Sequence, residues 1–332
     1  MKNTDRIWPA RQVENKISVY LNERQYQGIL DDAQSFSILR GDGRPNVNRF
    51  CNLALCNHLE KYTELMKRRF EKALKILRSR FRNEKAGTIE MAAREIAFAN
   101  LDFGSEPKEK SGRSVSLLID PDKQAMVQEA ISRSFMDIDI SEFIRELLRS
   151  YLSFPFFMRE RIIYADRIRI ITKAIENRES VAYKHPGSGE WHHFYPAVIG
   201  YSKHEYYNYV VGQIDNSHHT TYAVRLSNMA QVYDAAMPAV FTEDFPLYLE
   251  RMQRNGIQFG INEDRIYEVT LTEDGYEEFN RRYLEQPDPV STQIMDDGSV
   301  RLAFDCSRFQ LDKYFMPFNG KILEYVKDDI QE

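Results

Sequence analysis

Residues 170–232 read IITKAIENRESVAYKHPGSGEWHHFYPAVIGYSKHEYYNYVVGQIDNSHHTTYAVRLSNMAQV. Ile170, Ala174 and Ile175 recur at helical spacing and lead into Ser180-Val181-Ala182-Tyr183. A Pro/Gly/Ser turn over 186–189 follows, then strand-like runs around Phe194–Ile199, Tyr206–Val211 and Tyr222–Leu226. Short runs rich in β-branched and aromatic residues, bounded by turn formers, predict a small antiparallel β unit entered from a helix.

The landmarks of this stretch are Tyr183, the Tyr195-Pro196 pair, Asn208-Tyr209-Val210-Val211-Gly212 and Arg225-Leu226. Their order resembles the WYL domain, a small SH3/Sm-like β-barrel of bacterial regulators and anti-phage defence proteins. Two positions depart from that family. Its Trp-Tyr-Leu is Asn208-Tyr209-Val210 here, and its second arginine is Asn228. The resemblance implies binding of nucleic acid or a nucleotide-like ligand without catalysis, with Arg225 at the family's ligand-contacting position.

An arginine between Val224 and Leu226 needs an anionic partner, either a ligand or a structural carboxylate. Tyr183, Trp191, Tyr207, Tyr209 and Tyr222 supply flat faces beside Lys184, His185, His192, His193 and Lys203. Such a mixture holds single-stranded nucleic acid, because cations meet phosphates while rings stack bases. Tyr209 reads equally as core or ligand contact, and Tyr207 is placed on the other face. The candidate ligand set of the barrel is therefore Arg225, Tyr183, Lys184, His192, His193, Tyr207, Tyr209 and Asn228.

Upstream, residues 16–21 (KISVYL) alternate: Ile17, Val19 and Leu21 share one face, Lys16, Ser18 and Tyr20 the other. Asn22 caps a helix to about Phe36, and after the breaker at 41–45 a second helix starts near Asn46. The pattern returns at Ser114: VSLLI over 115–119 alternates, Asp120-Pro121 opens a helix, and Ser141 opens another ending near Leu152. Strand, helix, helix, closed by SEFIRELLRSYL, resembles the ribbon-helix-helix family, which pairs two such strands antiparallel. Two copies in one chain leave open whether the strands pair within the chain or between chains. That family's DNA-reading face maps onto Lys16, Ser18, Tyr20, Ser114, Ser116 and Leu118; Leu118 can donate no hydrogen bond to a base edge.

The 332-residue chain has a formal net charge of −5, yet ten basic residues against three acidic ones lie between Lys61 and Lys85. Phe70, Ala73, Leu74, Leu77 and Phe81 give that segment a packing face. Arg69, Lys72, Lys75, Arg78, Arg80 and Arg82 form either a solvated face or a phosphate track. The segment after Ala236 is acidic, so a polyanion would meet the N-terminal half. A Gly/Ser/Lys/Glu-rich linker is expected over 102–113.

Cys51, Cys56 and Cys306 lack CxxC spacing, which argues against a disulfide framework or a zinc site and for a reducing cytoplasm. No apolar run is long enough to span a bilayer, and the start, MKNTDRIWPARQ, carries no secretory pattern. P-loop, GxSxG and HExxH motifs are absent. His192-His193 and His218-His219 are adjacent pairs that would face opposite sides of a strand. No catalytic residue, metal or cofactor is expected.

From Pro238 the sequence predicts strand, helix, a hairpin turning at Asp296-Asp297-Gly298, helix, glycine turn and final strand. This resembles the C-terminal extension that follows WYL domains. The expected fold is multidomain α+β: a two-copy ribbon-helix-helix-like module over 14–155 with a basic insertion at about 62–113, a helical linker plus barrel over 156–235, and an α/β extension over 236–332. Together these parts resemble the WYL accessory proteins of type VI-D CRISPR systems. That implies a homodimeric cytoplasmic protein that binds single-stranded RNA and enhances an RNA-guided RNase. The alternative is a ligand-responsive DNA-binding transcriptional regulator of a defence operon; an enzyme acting on nucleotides is the weakest reading.

Overall fold

Alternating apolar residues fold into a two-stranded ribbon that organises the first half of the chain. The computed structural model describes residues 16–99, 112–119, 121–133, 139–214 and 220–326. Within them the protein is mixed α/β, with antiparallel sheets, and divides into two compact units, 1–163 and 164–332.

In the first unit, β1 (Lys16–Asn22) leads into α1 (Glu23–Ser35) through a capping box: Asn22 Oδ1 accepts from Gln25 N at 2.8 Å, and Gln25 Oε1 accepts from Asn22 N at 3.1 Å. The long α2 (Val47–Arg80) runs without a break through the basic segment, and α3 (Ala86–Ala99) folds back on it. Then come β2 (Gly112–Leu118), α4 (Pro121–Arg133), α5 (Ile140–Leu152) and α6 (Phe156–Ile163). The cap of α5 is Asp139, two residues before the expected Ser141; its carboxylate accepts from Glu142 N at 2.8 Å.

β1 and β2 pair antiparallel within the one chain, which settles what the sequence left open. Val19 opposes Val115, and Ser18 opposes Ser116. Val19, Leu21, Val115 and Leu117 are buried against the helices, each contributing roughly 1.5–3 kcal/mol. The free carbonyls of β2 are met from α2: Asn48 Nδ2 donates to Ser116 O and Asn52 Nδ2 to Leu118 O, both at 3.1 Å. Helix α5 seals the core with Phe143, Ile144, Leu147, Leu148 and Tyr151, a stripe of helical periodicity.

Two polar groups lie inside this core. Asp32 is gripped by Arg159 (Nη2 to Oδ1 2.9 Å, Nε to Oδ2 2.8 Å) and accepts from Tyr151 Oη at 2.8 Å. His58, 2% exposed, contacts Ser150 Oγ through Nε2 at 3.2 Å and meets Phe154 edge-on.

The second unit opens with α7 (Ala165–Asn177), ended by Arg178 in the left-handed conformation (φ 55°). Five strands follow: β3 (Glu179–Lys184), β4 (His192–Tyr201), β5 (Asn208–Ile214), β6 (Thr221–Arg225) and, after a 3₁₀ turn at Leu226–Asn228, β7 (Gln231–Pro238). Their order is β6-β5-β4-β3-β7. The expected barrel is therefore not closed. The chain turns away from the ladder at Leu226, so β6 and β7 become the two edges of a bent sheet, with bulges at Glu179/Val181 and Pro196/Val198.

A helix missed in the sequence, α8 (Phe245–Asn255), packs Tyr248, Leu249 and Met252 against Val198, Tyr209, Val211 and Ala223 of that sheet. Beyond it, β8 (Tyr267–Leu271), α9 (Glu273–Arg281), β9 (Pro289–Ile294), β10 (Val300–Phe304), α10 (Arg308–Phe315) and β11 (Ile322–Val326) follow the expected order. Their sheet order, β11-β8-β10-β9, is the split βαβ arrangement, with both helices on the face that buries Val269, Leu302, Phe304, Phe279 and Phe315. The division between units falls after α6, whereas the sequence suggested boundaries at 155/156 and 235/236.

Burial, and then the nearby Lys61, push the His58 imidazole down to about 4. Its folded value lies below its unfolded one. Its contribution is thus complete above pH ~6.5 and is lost as pH falls toward 4, where only the unfolded imidazole takes a proton. Urea unfolding should show wild type losing about 2 kcal/mol more than His58→Gln between pH ~7.5 and ~5. Parallel losses would contradict this placement.

Candidate nucleic-acid interface

The best-built candidate site sits where β5 and β6 meet. Arg225 ends β6 opposite Tyr209 of β5, so the two side chains share a face. The guanidinium carbon of Arg225 lies 3.1 Å from the centroid of the Tyr207 ring. Its Nε is buried and finds no hydrogen-bond partner among the described residues. No carboxylate among them pairs with this guanidinium. A cation held over an aromatic ring can still turn its outer Nη groups toward a phosphate or a base edge.

Tyr207 reaches this position for a local reason. It precedes β5 and follows Tyr206, whose φ is 59°, so strand alternation does not govern it. Alternation alone put it on the face opposite Tyr209; its ring instead lies under Arg225. Tyr209 is half-buried beside Val211 in the α8 cluster, and its hydroxyl donates to Glu205. It supports the site from below. Asn228, at the end of the 3₁₀ turn, is exposed. Gly212 is required by close approach, since a Cβ there would lie 1.9 Å from Tyr195 O.

The remaining residues of the set form two further groups. Tyr183 is only 2% exposed and packs against His185 (5.2 Å), His192 (5.4 Å) and Phe194 (6.1 Å). Burial, with Tyr222 nearby, pushes its hydroxyl up to about 12. Tyr183 is thus a core ring whose face is already covered by side chains, which removes it as a stacking surface. Lys184 points instead to Trp191, its Nζ 4.6 Å from the indole centroid. His192 packs on Tyr183 while His193 is exposed, the opposite facing expected of neighbours on a strand. His218-His219 lie outside the described residues, as do the Asp120 cap and most of the 102–113 linker. Arg113 of that linker belongs to β2. Among the described residues, no group of three or more His, Cys, Asp or Glu side chains is placed to hold a metal ion, and no helix is long and apolar enough to cross a membrane.

In the first unit the basic helix divides. Lys72, Lys75, Arg78 and Arg80 are exposed on α2, with Arg78 paired to Glu90 at 3.2 Å. Arg82 is exposed but lies past the helix, which ends at Arg80 with Phe81 as its cap. Arg69 is a correction. It is half-buried beside Tyr62, one Nη is buried without a hydrogen-bond partner, and with Glu146 it sets the local charge around the Tyr62 hydroxyl. It sits on the flank of the Tyr62–Met66–Ala73 stripe, so it faces the core.

The ribbon face is placed as expected. Lys16, Ser18 and Tyr20 of β1 and Ser114, Ser116 and Leu118 of β2 are all exposed, paired Lys16–Leu118, Ser18–Ser116 and Tyr20–Ser114. Tyr233, not singled out in the sequence, stands exposed on β7 with its ring 5.1 Å from Trp191. Alternation along QVYDAAMP, with Val232 buried, is the signal that would have found it.

No protein-family model matches the chain, and neither does any curated protein. Among solved structures, it is similar to one described as a CRISPR Cas-related protein, with a TM-score of 0.65, 17% identity, and coverage of 97% of this chain and 92% of that one. Proteasome accessory factor B/C of Arthrobacter aurescens aligns over 57% of this chain and 30% of its own at 12% identity; its TM-score of 0.24 is too slight to carry the fold. The first likeness shows that the architecture extends over nearly the full length of another protein.

Arg159 and Arg225 give a contrasting pair of predictions. Arg159→Ala leaves the Asp32 carboxylate buried and unpaired and should cost about 3–5 kcal/mol. Arg225→Ala removes only a ring contact and should cost about 1 kcal/mol or less. Chemical denaturation of both variants checks this; an equally large loss at Arg225 would make it a structural residue.

Proposed function

We propose that this protein is a non-catalytic, nucleic-acid-binding accessory factor of a CRISPR system. It binds single-stranded RNA and enhances the RNA binding and cleavage of an RNA-guided RNase of the type VI-D class. The observation that carries this reading is the Arg225 guanidinium, held over the Tyr207 ring with no carboxylate partner among the described residues. A guanidinium without a counter-ion suits an anionic ligand that meets its outer N–H groups. The sheet stands in for the WYL domain of the sequence resemblance, and the paired strand-helix-helix units for its ribbon-helix-helix modules.

Three further features support it. The full-length likeness is to a protein described as CRISPR Cas-related. The exposed cations of α2 offer a second phosphate contact. The ribbon spends one of its six outward positions on Leu118, which offers no hydrogen bond to a base edge. The protein works as a homodimer in the cytoplasm and needs no cofactor. A specific observation favours the second reading, a DNA-binding regulator: the intrachain ribbon already has its outward face formed by Lys16, Ser18, Tyr20, Ser114 and Ser116.

Fluorescence anisotropy separates the readings. Unstructured RNA should bind in a salt-dependent manner and duplex DNA weakly; tight binding to a palindromic duplex with little RNA binding would favour the regulator. Arg225→Ala should weaken RNA binding about 10-fold or more, the loss expected for a charge-assisted contact. Charge reversal at Lys72, Lys75 and Arg80 should flatten the log–log salt slope by about 2. An unchanged slope would remove α2 from the interface.

A further inference from the structure

At the edge of the five-stranded sheet opposite β6, a second group of aromatic and basic side chains comes together. Tyr233 of β7 opposes Ala182 of β3, and Ala182 also opposes His193 of β4. The three therefore form one row on one face. Lys184, two residues beyond Ala182, shares that face and opposes Gln231. Trp191, directly before β4, completes the group. Its ring lies 5.1 Å from that of Tyr233 at an interplanar angle of 57°, and Lys184 Nζ sits 4.6 Å from its centroid.

Both rings are open to solvent: Trp191 is 43% and Tyr233 56% exposed. They do not fill a core. The small Ala182 side chain leaves a low floor between Tyr233 and His193. The tilt of the rings makes a wedge rather than a closed stack, so a flat group can enter. Local charge decides which flat group. Lys184 forms no ion pair among the described residues, and Asp234, opposite Val181 on the other face, is bonded to Lys173 at 2.8 Å. Lys184 is thus left beside the aromatic pair as a cation for a phosphate.

We propose that Trp191 and Tyr233, with Lys184 and His193, form a stacking site for an unpaired nucleobase of single-stranded RNA, separate from the Arg225–Tyr207 pair. The proposal rests on the RNA-binding reading above and extends it. The strand order places the two sites on opposite edges of the sheet. The Trp191 site is sequence-tolerant, because every base has a π-face.

The sequence holds two tryptophans, Trp8 and Trp191. In a full-length Trp8→Phe background, Trp191 emission reports on its own site. A short single-stranded oligoadenylate should quench that emission, and an abasic ribose-phosphate oligomer of equal length should not. By anisotropy of a labelled oligoadenylate, Trp191→Ala should bind at least about 5-fold more weakly, given the worth of one base stack. Trp191→Phe should lose less, and Tyr233→Phe should match wild type, since the ring and not the hydroxyl stacks. Oligoadenylate binding with Trp191 emission unmoved and Trp191→Ala unaffected overturns the proposal and leaves the RNA-binding reading standing. Absence of any oligoadenylate binding by the wild-type chain sinks both.

Discussion

Pairing of β1 with β2 is the constraint on which the first unit depends. It joins residues 16–22 to residues 112–118 and so closes a loop that contains α1, α2 and α3. Closing so long a loop costs entropy that non-local contacts must repay. Repayment comes from the alternating buried residues of both strands and from Asn48 and Asn52, which bind the carbonyls of β2. A one-residue slip would exchange Val19 and Leu21 for Ser18 and Tyr20 in the core, so the register is strongly set. The same alternation that fills the core produces the outward face. Placement of the exposed basic helix is a further result of this closure.

Two arginines show how the protein treats buried charge in different ways. Arg159 is satisfied by Asp32 and by the carbonyls of Leu152 and Phe154, and Asp32 in turn by Tyr151. Burial raises the Asp32 carboxyl while Arg159 and Tyr151 oppose it, as in a group whose charge is accepted only because partners surround it. Arg225 has a ring beneath it and no such surroundings. The first arrangement serves stability, and the second leaves the guanidinium without a carboxylate among the described residues. The functional reading rests on that difference.

Much of the architecture was legible because periodicity dictates it. Both ribbon strands, their exposed and buried faces and the order of the C-terminal βαββαβ elements follow from apolar spacing and turn residues, whereas α2 runs unbroken into the segment set apart from about residue 62 as a basic insertion. Legibility failed where tertiary packing overrides the local pattern. Helix α8 has an amphipathic sequence whose apolar side becomes meaningful only against Val198 and Val211. Barrel closure depends on where β6 leaves the ladder, which no residue in 220–232 announces. Arg69 was grouped with its basic neighbours, although its angular position on α2 lies beside Tyr62. In the candidate site, Arg225 was identified by the cost of a charge in an apolar run, and Tyr183 was misjudged because an aromatic in a strand serves core and ligand alike. Tyr207 was assigned by strand alternation that its position before β5 does not obey.

The central claim is that single-stranded RNA engages the chain at Arg225–Tyr207 and along the exposed side of α2. Photocrosslinking of the full chain to thiouridine-containing single-stranded RNA, with adducts located by mass spectrometry, tests it most directly. The account predicts adducts within residues 203–228 and on α2 beyond Met66, competed by excess unlabelled RNA and not by duplex DNA. Adducts absent from both regions, or confined to residues 16–22 and 112–118 with duplex DNA as the effective competitor, would contradict it.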